Sequence, residues 1–135
     1  MSHKSHAAAH KGGSFPAAVR YASRGVRLAW RDEKNLRRHA WLFPAALLVG
    51  WFVQLSAVEW VMIIVVAGLV VASEIGNSAL EALADAVHPS FNPGIERAKD
   101  MAAASVLVTC VIASVVGVIL LVWPLVRLLV AQPLL

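Results

Sequence analysis

The run from Trp60 to Ala72 is apolar throughout, and the chain passes without a break into Ser73–Asp85, Ser-Glu-Ile-Gly-Asn-Ser-Ala-Leu-Glu-Ala-Leu-Ala-Asp. One helix therefore carries lipid-compatible residues first and carboxylates afterwards. At about 100° per residue, Glu74, Asn77, Glu81 and Asp85 fall in a single narrow stripe, at steps of three, four and four. Burying a carboxylate near hydrocarbon costs at least ~2.5 kcal/mol, so such groups face a bundle interior and meet a cation or a partner. The stripe asks for a counterion.

That constraint sets the class. Of the 135 residues 59% are apolar and 15% charged, which fits an all-α membrane protein of one domain far better than an ordinary soluble fold. Nine of the twelve basic residues precede Trp41, two (Arg97, Lys99) lie between the second and third apolar segments, and Arg127 follows. This asymmetry places the N-terminus and the Arg97–Lys99 loop on the cytoplasmic side of an inner membrane crossed several times. Anionic lipid headgroups are the expected partner of the basic excess. Nucleic acid is not, because no recognition motif accompanies the basic residues. Cys110 stands alone, which rules out an intrachain disulfide.

In chain order, residues 1–14 read as a flexible tail containing His3, His6 and His10. Residues 15–38 read as an amphipathic surface helix: Pro16 suits a first turn, Val19, Ala22, Val26, Ala29 and Trp30 form one side, and Arg20, Arg24, Arg27 and Arg31 the other. Residues 39–130 then hold three expected spans, at about 41–57, 60–87 and 101–123. The short link around Gln54–Glu59 makes the first two an antiparallel hairpin. Two prolines and a glycine in His88–Gly94 break the chain before the third span. Pro124 is expected to end that span, leaving 124–135 as a hydrophobic tail.

The residues permit a definite chemistry. Glu81 near the cytoplasmic boundary, joined by Glu33 from the surface helix, can hold a hard divalent cation such as Mg²⁺ that bridges nucleotide phosphates. Glu74 lies deeper, about 10 Å along the axis from Glu81, where a desolvated carboxylate is suited to accept a proton from an alcohol. Lys99 supplies positive charge to phosphate oxygens, and Asp100 is placed to steer the lysine or touch the nucleotide. No glycine-rich phosphate loop is present, so side chains at the membrane face must hold any nucleotide.

Glu74-Ile-Gly-Asn77-Ser78-Ala-Leu-Glu81-Ala-Leu-Ala-Asp85, with Ala29-Trp30-x-x-Glu33 and Arg97-Ala-Lys99-Asp100, resembles the prokaryotic diacylglycerol kinases, a family that includes the undecaprenol kinases. The family pattern, similar to Glu-x-(Leu/Ile/Val/Met)-Asn-(Ser/Thr)-(Ala/Ser)-(Leu/Ile/Val)-Glu-x-x-Val-Asp, is departed from at Gly76 and Ala84. The resemblance implies a homotrimeric bundle with sites between subunits and transfer of the γ-phosphoryl of MgATP to a lipid alcohol. It further implies Glu74 as catalytic base, Glu33 and Glu81 as Mg²⁺ ligands, and Tyr21, Asn77, Asn92, Lys99 and Asp100 beside them at ATP. Trp30, Glu74 and Ala103 match positions that meet the lipid. The arginine that the family carries upstream of Tyr21 has no counterpart, since Ser14 falls there.

Glu33-Lys-Asn-Leu-Arg-Arg-His39 and Leu55-Ser-Ala-Val-Glu-Trp60 look more like the undecaprenol kinase branch than the diacylglycerol branch. An intramembrane glutamate also marks proton and cation sites, which makes a small proton-coupled transporter the rival reading.

Overall fold

A computed structural model describes residues 14–131 as a wholly helical chain. Four helices follow one another: α1 (Phe15–Asp32), α2 (Lys34–Phe52), α3 (Ala57–Val87) and α4 (Pro93–Gly117), the last continued through a π-helical turn at Val118–Val122 into α5 (Trp123–Ala131). Residues 1–13 and 132–135, which carry nearly all of the expected N-terminal tail and the end of the C-terminal one, lie outside the described residues.

The surface helix ends earlier than its amphipathic pattern implies. Glu33 takes an extended conformation (φ −98°, ψ 115°), so Lys34–Arg38 belong to the next helix. Side chains hold this elbow. Arg37 Nη1 donates to the carbonyls of Trp30 (2.7 Å) and Arg31 (2.8 Å), two of the acceptors that the end of α1 leaves without intrahelical partners. Ala29 and Leu36 are buried in the corner. Arg31 Nε reaches Asp32 Oδ1 at 2.7 Å, and that hydrogen bond holds the Asp32 carboxyl below its ordinary range.

Between α2 and α3 the turn Val53–Ser56 relies on Gln54 in the left-handed region (φ 59°). Ser56 and Glu59 form a capping box: Ser56 N donates to Glu59 Oε2 at 2.7 Å while Ser56 Oγ accepts from Glu59 N at 3.4 Å. Gly50 is buried at this hairpin, where an added Cβ would meet the Trp60 ring at 2.8 Å. At the other end of α3, Asn92 caps α4, its Oδ1 accepting from Gly94 N and Ile95 N.

Packing orders the elements by one face of α3. Ile63, Val70 and Glu74 are its buried residues, at steps of seven and four, so the stripe that carries acids lower down is the same stripe that meets the neighbouring helices. Across it, Ser73 Oγ lies 2.8 Å from Thr109 Oγ1 and Asp85 meets Lys99, an antiparallel register because the partner's number rises as that on α3 falls. His39 beside Glu74 and Gly50 against Trp60 show the same register for α2. The bundle thus has a hairpin end and a charged end.

Two helices are long and apolar enough to cross a membrane: Ala57–Val87, with 31 residues, and the rod Pro93–Ala131, with 39. At 1.5 Å per residue they run to about 46 and 58 Å, beyond the ~30 Å of hydrocarbon, so each has ends available outside it. Contrary to expectation, Pro124 does not stop the last rod. A proline lacks the N–H of the regular ladder, and here the chain widens to a π turn just before it, Trp123 N donating to Val118 O.

Candidate active site

Glu74 stands at the inner end of the acidic stripe of α3 and is buried to 3% exposure, the one charged side chain so enclosed among the described residues. Its company comes from two other helices. His39 of α2 brings Nε2 to 3.4 Å from Glu74 Oε1, and Cys110 of α4 places Sγ 3.9 Å from the same ring nitrogen. One turn further along α3, Asn77 Nδ2 donates to Glu81 Oε1 at 2.9 Å. The other end of that amide, Asn77 Oδ1, is buried and has no hydrogen-bond partner among the described residues. A buried acceptor left open is costly, of the order of 1–3 kcal/mol. It marks a place where a donor or a cation belongs.

Towards the tip of the charged end, Lys99 Nζ donates to Asp85 Oδ1 at 3.1 Å. The lysine is therefore steered by the last acid of the α3 stripe. Asp100, expected to steer it or touch the nucleotide, is exposed on α4 with no partner among the described residues. The reason is register: Asp85 and Lys99 sit at facing positions of α3 and α4, whereas the residue after Lys99 turns about 100° away. Glu33 is half-buried at the elbow between α1 and α2, Trp30 is 45% exposed beside it, and Ala103 is exposed on α4. On α1, Arg20 lies over the Tyr21 ring at 5.5 Å from its centroid. Asn92 has its Oδ1 committed to the helix cap, which leaves its amide N–H groups for anything bound there.

The structure brings together Asn77 with Glu81, and Lys99 with Asp85. Among the described residues no group of three or more His, Cys, Asp or Glu side chains forms a cage that a metal fits. Two concavities at the hairpin end, lined by Gly50, Trp51, Phe52, Gln54, Leu55 and Trp60 and by Phe52, Val53, Gln54, Leu128 and Leu129, contain no charged side chain. All the acids of the stripe lie at the opposite end. His39 is the neighbour that sequence reasoning did not pair with Glu74. Its one signal is a lone ring at the last polar position before the apolar part of α2.

Fold and site together define a small helical membrane protein with a carboxylate-bearing interior face that emerges at one end of the bundle. The chain belongs to the prokaryotic diacylglycerol kinase family, which it matches over residues 20–121. It is 34% identical over 100 residues to an undecaprenol kinase of Bacillus subtilis, covering 74% of this chain and 81% of that one. To a diacylglycerol kinase of Escherichia coli it is 33% identical over 104 residues, 77% of this chain and 85% of the relative. A diacylglycerol kinase of Synechocystis is 34% identical over 114 residues, 84% of this chain and 65% of the relative. The transporter reading finds no support among these relatives.

Proposed function

We propose that this chain, an ATP-dependent membrane lipid kinase by family, transfers the γ-phosphoryl group of MgATP to the hydroxyl of a long-chain lipid alcohol. Undecaprenol is the favoured acceptor and diacylglycerol the other. The observation that carries the reading is the burial of Glu74 on the interior face of α3, one turn from Asn77 and two from Glu81. A buried carboxylate at that depth takes the hydroxyl proton as the lipid oxygen forms its bond to the γ-phosphorus; the bond from that phosphorus to the bridging oxygen breaks, and ADP leaves. Positioning and charge neutralisation do most of the work in such transfers.

Magnesium, when bound, would supply positive charge to neutralise the phosphates. Glu33 and Glu81 are the carboxylates present to hold it, and the open Asn77 Oδ1 beside Glu81 fits the oxygen-rich donor set such an ion prefers. Lys99, Asp100, Tyr21 and Asn92 are assigned to ATP. Trp30 and Ala103, both exposed, are assigned to the lipid.

The same reading makes α2 the first of three spans and lays α1 on the cytoplasmic face of the inner membrane, its arginines among anionic headgroups. The working unit in this reading is a homotrimer with sites between neighbouring copies, as the family resemblance implies. Purified protein supplied with Mg²⁺ and labelled ATP, assayed with each lipid in parallel, tests the proposal. Phosphorylation of one lipid that Glu74→Gln lowers by about 10²-fold or more sustains it; phosphorylation of neither overturns it.

A further inference from the structure

The polar side chains around Glu74 on its own helix are already engaged. Ser73 Oγ donates to Val70 O at 2.9 Å and meets Thr109; Ser78 Oγ donates to Glu74 O at 2.9 Å; Asn77 is turned to Glu81. None of them is left to orient the buried carboxylate. The group that does reach it comes from α2, where His39 Nε2 stands 3.4 Å from Oε1 and 3.9 Å from the Cys110 sulfur. Burying a carboxylate without a donor is strongly unfavourable. In the tautomer with hydrogen on Nε2, the imidazole brings a donor near Oε1, at a separation wider than a closed hydrogen bond. Contacts of this kind are often long before substrate binds and shorten in the productive complex.

We propose that His39 is a positioning residue for the phosphoryl transfer: its Nε2–H holds Oε1 of Glu74, so that Oε2 is the oxygen presented to the lipid hydroxyl. This rests on Glu74 being the base. It also gives the hairpin packing a catalytic consequence, because the donor and the base sit on different helices and meet only when α2 lies against α3.

The test compares full-length wild-type protein with His39→Leu, His39→Gln and Glu74→Gln in lipid-containing micelles, reading kcat, KM for ATP and thermal unfolding. His39→Leu, which removes the donor, is expected to lower kcat by about 10- to 100-fold, the size of one hydrogen bond to a charged group, with the KM for ATP within about twofold. His39→Gln restores an N–H and is expected to recover most of kcat. Wild-type turnover in His39→Leu overturns the proposal. So does equal impairment of both variants, which would make the ring a packing element. If His39→Leu does not fold, His39→Gln decides alone: near-normal kcat supports the donor role and a full loss overturns it. Undiminished activity in Glu74→Gln would instead defeat the base assignment itself.

Discussion

Lys99 Nζ and Asp85 Oδ1 meet at 3.1 Å across the α3–α4 interface, joining the last acid of the stripe to the lysine assigned to phosphate. The Asp85 side chain is 72% exposed and that of Lys99 30%, so the pair lies where water screens it. A double-mutant cycle on Asp85→Asn and Lys99→Gln is expected to give a coupling of only about 0.2–1 kcal/mol in stability. Lys99→Gln alone is expected to raise the KM for ATP by about tenfold, the scale of one lost charge-assisted contact. Unchanged ATP kinetics with a large stability loss would make the lysine a structural strut.

Asn77 offers a test with opposite signs for stability and activity. Asn77→Leu removes a buried acceptor that has no partner among the described residues, together with the donor to Glu81. The ligand-free protein is therefore expected to keep or slightly gain stability, while activity falls by about tenfold or more. Thermal unfolding with and without MgATP separates the two effects, since the nucleotide-induced rise in unfolding temperature should shrink in the variant.

Gly50 and Gly68 should respond differently to the same methyl group. A Cβ at Gly50 meets the rigid Trp60 ring at 2.8 Å and Leu55 Cδ1 at 3.0 Å, whereas nothing lies within 4 Å of one at Gly68. Gly50→Ala is expected to destabilise by about 1–3 kcal/mol. Gly68→Ala removes a mid-helix glycine and is expected to be neutral or to stabilise by up to about 1 kcal/mol. Unfolding in mixed micelles measures both, and equal responses would refute the hairpin packing.

At the elbow, the hydrogen bond from Arg31 sets the titration of Asp32. The folded carboxyl lies below its unfolded value. Its contribution is therefore present above the unfolded value and lost as pH falls through the folded one. In an NMR titration the Asp32 midpoint is expected below the ordinary aspartate value, returning towards it in Arg31→Gln. Both side chains are largely exposed, so high salt should weaken the shift.

Much of this protein is decided locally, and local features are legible in a sequence. The apolar run before Glu74, the steps of three and four that align Glu74, Asn77, Glu81 and Asp85, and the capping chemistry at Ser56 and Asn92 each depend on residues within a turn or two. Helix periodicity converts them into a face without reference to the rest of the chain. Two boundaries escaped because side chains or backbone compensate for what the pattern predicts. Arg37 satisfies the carbonyls that allow a break at Glu33, and a π turn lets the last rod continue past Pro124. What only tertiary structure decided is pairing. That Lys99 meets Asp85 rather than Asp100, that His39 stands against Glu74, and that Asn77 turns one end of its amide to Glu81 and leaves the other open all follow from the register of antiparallel helices. Register is set by packing across the whole interface, by contacts such as Ser73 with Thr109 and Gly50 with Trp60, which bring together residues far apart in the chain or across a turn that no local spacing encodes.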